Sequence, residues 1–207
     1  MTLEQVLERI PPLDAEAMAQ AKQHWDALAK PLHGLGDLED ILIRIAGICR
    51  TPRIDLRNKA VVVMCADNGV VAEGISQSGQ DVTQIITENL GRGTSTVCHM
   101  ARAAGADVIP VDIGVASDIH GSGVVHRKIA RGTHNFAKQP AMSRDQAVQA
   151  IDVGIETALL CRQNGYDVVA TGEMGIGNTT STAAVTAALL HAPVELVTGR
   201  GSGLTSE

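Results

Sequence analysis

Residues 168–190, VVATGEMGIGNTTSTAAVTAALL, decide how the rest of the chain is read. They begin as a short β-branched strand, pass through a glycine-rich turn carrying one acid, and continue as an apolar helix. A turn of this kind turns main-chain N–H groups and the positive end of a helix toward an anion, and glycine lets the anion approach without an intervening side chain. Compared with the nucleotide-triphosphate loop GxxxxGK[ST], the spacing from Gly172 to Gly177 agrees, but Asn178 stands where lysine is required. Compared with the dinucleotide pattern GxGxxG, Gly175 and Gly177 fit and Thr180 replaces the third glycine. A plain strand-to-helix turn with Asn178 as helix cap would explain the glycines. It would not explain Glu173.

Outward from this stretch the same alternation recurs. Strands are expected at 60–67 (AVVVMCAD), 107–114 (DVIPVDIG), 167–173 (DVVATGE) and 194–199 (VELVTG), each rich in apolar residues and ending in acid or glycine. Helices are expected near 80–90, 94–104 and 143–164, the last opening with the capping box SRDQ and closing on Asn164-Gly165. Continuous apolar strands alternating with helices define an α/β fold, a mostly parallel sheet covered by helices on both faces in the Rossmann-like manner. Ligands bind such sheets at the carboxyl ends of the strands. Those ends carry Asp67 and Asn68, Asp112, the turn with Glu173, and Arg200. Asp67 and Asp112 read either as ligand contacts or as loop caps, and Arg200 as a ligand contact or a surface ion pair.

Before the first strand the period is helical. Met18, Ala21, Trp25 and Leu28 share one face over 14–29, and a second helix starts at Asp37 and runs toward Pro52. This gives a small N-terminal helical layer over 1–55 and an α/β domain over 56–207. Residues 115–142 have no sustained period and form a long loop, the kind of segment that serves a site or moves at the surface. His120, His126 and His134 lie in or beside it, read either as a metal trio or as polar loop residues.

Composition narrows the function. Net charge is −6 and only 19% of residues are charged, with no basic cluster beyond Arg127-Lys128, so no nucleic-acid footprint is present. Trp25, Phe136 and Tyr166 are the only aromatic residues, too few for base stacking on a single strand. No apolar run reaches the ~18 residues of a membrane span, and the N-terminus carries Glu4, Glu8 and Arg9 where a secretory signal would be apolar. Four separated cysteines read as buried free thiols of a reducing compartment. A cytoplasmic protein with a small-molecule partner is expected.

Taken together, KPLHGLGDLE (30–39), ADNGVVAEGIS (66–76) with VTQ (82–84), VDIGV (111–115), GTHNFAKQPAMS (132–143), GEMGIGNTT (172–180) and GRGSGL (199–204) resemble, in order, the motifs of the nicotinate-nucleotide:dimethylbenzimidazole phosphoribosyltransferase family. The resemblance implies transfer of phosphoribosyl from nicotinate mononucleotide to 5,6-dimethylbenzimidazole with inversion at the anomeric carbon, in assembly of the cobamide lower ligand, by a homodimer using no cofactor and no metal. It implies that Gly175, Gly177, Asn178 and Thr179 hold the 5′-phosphate, with Gly172 in the same motif, and that Glu173 faces the ribose or the cation developing on it. Ser76 and Gln84 would line the benzimidazole pocket, and Asp67, Asn68 and Arg200 would belong to the substrate site. SQSGQD (76–81) replaces the family's aromatic-proline pair, which leaves a purine or phenolic acceptor open. The family's general base falls in a further C-terminal third, beyond the matched motifs. Two other readings stand beside this one: a non-catalytic nucleotide-binding or scaffolding module, and an NAD-dependent oxidoreductase.

Overall fold

The chain divides into two compact units, Met1–Arg57 and Asn58–Glu207. The computed structural model describes residues 3–201. The first unit is helical: α1 (Leu3–Glu8), α2 (Ala15–Ala27) and α3 (Asp37–Cys49). The Asp14 carboxylate accepts from the Ala17 N–H at 2.9 Å and so caps one of the open donors at the start of α2. Small residues let α2 and α3 approach: Ala17, Ala21, Ala46 and Gly47 are buried, and a Cβ on Gly47 would fall 2.7 Å from Met18 Cγ.

Glu39 is the one acid of this unit taken out of water, at 2% exposure. Its carboxylate accepts from Lys30 Nζ at 2.8 Å and from the Leu35 N–H at 3.0 Å. These donors, the lysine first, hold its carboxyl below the ordinary 4.5. A depressed carboxyl stabilises the fold above its unfolded value, and that contribution is lost as pH falls through the folded value. Lys30 also lies 5.9 Å from the centroid of Trp25, the only tryptophan, which therefore reports on this unit. Thermal unfolding followed by Trp25 fluorescence should show a midpoint that falls as pH drops below about 4.5. In Lys30→Met the midpoint at pH 7 should already be lower, and acidification should change it little or raise it, because protonation then relieves an uncompensated carboxylate.

The second unit is a parallel sheet in the order β3-β2-β1-β4, formed by β1 (Lys59–Ala66), β2 (Ala106–Gly114), β3 (Val125–His126) and β4 (Val168–Met174). Alternation along β1 sends Val63 and Cys65 into one core with Leu90, Cys98 and Val115. It sends Val62 into the other, with Val111 and Cys161. Helices α4 (Asp81–Gly91) and α5 (Thr96–Ala103) cover the first face and α6 (Arg144–Gln163) the second. Burial pushes the Cys65 thiol up to about 11, so it remains a neutral core group.

The expected capping box of α6 is formed: Ser143 Oγ accepts from Gln146 N at 3.2 Å, and Gln146 Oε1 accepts from Ser143 N at 2.9 Å. Gly165, at φ +81°, ends the same helix turn, and the Tyr166 hydroxyl then donates to Asp107 at 2.7 Å.

Two expectations are corrected. Residues 194–199 do not form a strand: Val194–Val197 is a short helix, α8, following α7 (Asn178–Leu190). Its β-branched residues have no sheet neighbour, and local bonds form instead, Leu196 N to Pro193 O and Thr198 N to Val194 O. The long loop, in turn, contains β3, two residues that pair with Val111 and Asp112 of β2.

Candidate active site

Between β4 and α7 the chain makes its turn against the end of β1. A Cβ on Gly175 would run into the Ala66 carbonyl oxygen, so no other residue fits. Gly177 lies at φ +83°, where L-residues are strained, and a Cβ there would also fall 2.8 Å from Val71 Cγ2. Gly172 differs: its Cβ would meet Val63 Cγ2 at 3.4 Å, an ordinary contact.

Side chains from two other segments grip the peptide between the two essential glycines. Asn68 Nδ2 donates to Ile176 O at 3.1 Å, and Thr83 Oγ1 accepts from Ile176 N at 3.1 Å. Asn68 Oδ1 accepts in turn from the Ser181 hydroxyl at 2.8 Å, which ties it to the first turn of α7. Asn68 is thereby a fastener of the turn. Thr83, Ser181 and Gln80, whose amide donates to Asn68 O at 3.3 Å, belong to the same network, although the sequence alone assigns none of the three a role.

The first N–H groups of a helix have no acceptor inside it. Gly177 is the residue before α7, and Asn178 is its first residue. Asn178 N donates to Gly175 O at 3.1 Å, and Thr179 N to Asn178 Oδ1 at 2.8 Å. Among the described residues this leaves the amides of Gly177 and Thr180 as open donors, with the positive end of a 13-residue helix behind them. Asn178 Nδ2 donates to Glu173 Oε1 at 2.6 Å, which holds the exposed carboxylate at the lip of the turn. Open main-chain donors at a helix start thus stand next to one fixed negative charge. Such a pair can hold a phosphate and stabilise a positive centre beside it.

The other expected residues lie at different distances from this turn. Gly201 packs on it, since a Cβ there would come within 3.2 Å of Thr179 Oγ1; its neighbour Arg200 is exposed. Ile75 reaches Gly177, whereas the Ser76 hydroxyl accepts from the Ser78 N–H at 3.1 Å and closes its own short turn. Gln84 is half-buried and donates to Asp118 O at 3.1 Å. Asp67 points away from the cradle: Oδ2 accepts from Ala116 N at 2.8 Å, and Oδ1 is buried without a partner. Residues 202–204 of the last motif lie outside the described residues. Among the described residues no three His, Cys, Asp or Glu side chains are placed to share a metal.

Two hollows adjoin the strand ends. One, about 490 Å³, lies against Gly172, Glu173 and Met174 with Val63, Ile86 and Leu90 in its wall. The Ser95 hydroxyl, another residue of that wall, is buried without a partner. The other, about 280 Å³, lies between the ends of β1 and β2 and the start of α6, with Ile113, Ile129 and Met142 around it.

A parallel sheet with a glycine-lined helix start at its carboxyl edge defines the class of Rossmann-like α/β proteins. Residues 10–207 match the phosphoribosyltransferase family model, and the chain belongs to that family. It is 42% identical over 207 residues to the nicotinate-nucleotide–dimethylbenzimidazole phosphoribosyltransferase of Clostridium acetobutylicum, covering 100% of this chain and 59% of that protein. It is 48% identical over 203 residues to the protein of the same name from Chloroflexus aggregans, with coverage of 98% and 58%. The crystal structure of CobT from Thermus thermophilus superposes with a TM-score of 0.88 at 42% identity, over 92% of this chain and 58% of that one. The chain therefore spans a little under three-fifths of the length of these relatives.

The three glycines separate by geometry. Gly172→Ala should leave the urea midpoint nearly unchanged. Gly177→Ala should lower stability by about 1–2 kcal/mol, the cost of a left-handed conformation with a Cβ. Gly175→Ala should cost more, because the end of β1 must move. Equal losses at all three positions would contradict this geometry.

Proposed function

We propose that this chain carries the phosphoribosyl-binding part of an enzyme that moves phosphoribosyl from nicotinate mononucleotide to 5,6-dimethylbenzimidazole or a related azole, releasing nicotinate and producing α-ribazole phosphate. The observation that carries this reading is the pairing of an anion cradle at Gly175–Thr180 with a carboxylate, Glu173, held at its lip by Asn178. The 5′-phosphate accepts from the amides of Gly177 and Thr180 and from the Thr179 hydroxyl. As the bond to nicotinate loosens, positive charge grows on the sugar, and Glu173 is the negative group positioned beside it. The lone-pair nitrogen of the azole then attacks the anomeric carbon from the side opposite the departing nicotinate, which converts β to α, and the proton on the other ring nitrogen passes to a base.

Ser76 and Gln84 sit on the side of the acceptor, with Arg200 near the phosphate. By the resemblance, the base is a glutamate in the stretch by which the relatives exceed the matched length, and the enzyme acts in the cytoplasm as a homodimer. In this reading residues 1–55 belong to a small helical domain and 56–207 to the phosphoribosyl-binding domain.

Calorimetry on the 207-residue chain tests the assignment of the cradle. Nicotinate mononucleotide should bind. Nicotinate riboside, which lacks the phosphate, should bind at least about 10- to 100-fold more weakly, the worth of one or two charge-assisted hydrogen bonds. Equal affinity for the two would refute the phosphate role of the turn. Binding of the nucleotide with no binding of an azole would favour a non-catalytic nucleotide module.

A further inference from the structure

The four residues that follow β2, from Val115 to Asp118, are tied down at every position. Val115 N donates to Asp112 Oδ1 at 3.0 Å and Ala116 N to Asp67 Oδ2 at 2.8 Å. Both aspartates are 1% exposed, so two fully buried carboxylates cap one short strap. The Val115 and Ser117 carbonyls both point at Lys128 Nζ, at 2.5 and 2.6 Å. Asp112 Oδ2 lies 3.3 Å from the same ammonium, as an ion pair without hydrogen-bond alignment. Arg131 adds bonds to the Ala116 carbonyl and the Asp118 carboxylate, at 3.0 and 2.7 Å. The Asp118 carbonyl accepts the shorter of the two Gln84 Nε2 bonds, at 3.1 Å, and Glu88 Oε1 the longer, at 3.5 Å.

Two carbonyl oxygens and a carboxylate converging on one point repel one another unless a positive charge sits between them. The Lys128 side chain supplies that charge and is itself only 22% exposed. The arrangement has the form of a monovalent-cation site whose occupant is tethered to the chain. Without the ammonium the carbonyls would have to turn outward, and Asp112 would be left as a buried charge with no counter-ion. The displacement would reach Asp118, and with it the shorter of the two bonds that hold the Gln84 amide.

We propose that Lys128 is a positioning residue that acts as an internal cation: it holds the Val115–Asp118 strap so that the Asp118 carbonyl fixes Gln84 at the acceptor side of the site. The functional part of this inference rests on the reading of Gln84 as an acceptor-pocket residue; the structural part does not.

The test compares wild type, Lys128→Ala and Lys128→Met, each with ethylammonium chloride or with sodium chloride at equal ionic strength. Lys128→Ala leaves a hole that ethylammonium can enter, whereas the methionine side chain fills it without a charge. Two readouts need no ligand: amide hydrogen exchange at Val115 and Ala116, and the side-chain NH₂ resonance of Gln84. Exchange at both amides should rise by about 10- to 100-fold in both variants relative to the β1 amides, and the Gln84 signal should shift. Ethylammonium should restore Lys128→Ala and leave Lys128→Met unchanged.

With ligands, dimethylbenzimidazole affinity should fall by about 3- to 10-fold in the variants while nicotinate mononucleotide affinity holds, again with rescue of the alanine variant only. Exchange that rises evenly through the sheet, a Gln84 signal that does not move, or parallel losses for both ligands would overturn the proposal. Should wild type bind no azole, the exchange and rescue results still decide the role of Lys128, and what fails is the acceptor assignment of Gln84.

Discussion

The site depends on how closely one peptide approaches another. The carbonyl of Ala66, the last residue of β1, occupies the space that a side chain on Gly175 would need. That contact brings the start of α7 down onto the end of the sheet. Asn68 and Thr83 then hold both polar groups of the intervening Ile176 peptide. A helix end would otherwise fray and satisfy its amides with water. Here its geometry is set by β1, α4 and β4 together, so the directions of the Gly177 and Thr180 amides are fixed by the fold itself. Preorganisation of this kind makes a main-chain cradle effective without a lysine.

The same economy of charge shapes the surroundings. The turn has no cation within its motif, and the Glu173 carboxylate is held beside it by Asn178. A group of that sign would weaken a site meant only for phosphate. It suits a site in which positive charge develops on a sugar bonded to that phosphate. On the other side of β1 the balance is reversed: Asp67 and Asp112 are fully buried, and Lys128 is the ammonium set against Asp112. One edge of the sheet thus places its ionisable groups in two distinct roles, one toward solvent and one toward its own loops.

Much of this was legible in the residues. Strands at 60–67, 107–114 and 167–173 follow from β-branched runs, and the α6 boundaries follow from Ser143, Gln146 and Asn164-Gly165, because capping chemistry is local. The glycine turn and its acid were also visible. What escaped was non-local. The Val194–Val197 segment carries strand-forming residues but lacks a strand to pair with, and β3 consists of two residues whose pairing depends on β2. Asp67, which reads either as a ligand contact or as a loop cap, caps the 115–118 strap; Thr83 acts on the turn from another segment, and Ser181 bonds Asn68 from the first turn of α7. Nothing in their spacing announces that. Gly172 shares a motif with Gly175 and Gly177, yet only the last two face a steric demand that glycine alone meets.

The most direct measurement is an amide NMR titration of the 207-residue chain with nicotinate mononucleotide. The account requires the largest shifts at the backbone amides of Gly177 and Thr180, accompanied by the side-chain amide of Asn178 as its bond to Glu173 responds. Shifts concentrated around Ile113, Ile129 and Met142, with residues 175–180 unmoved, would place the nucleotide in the other hollow and contradict the cradle.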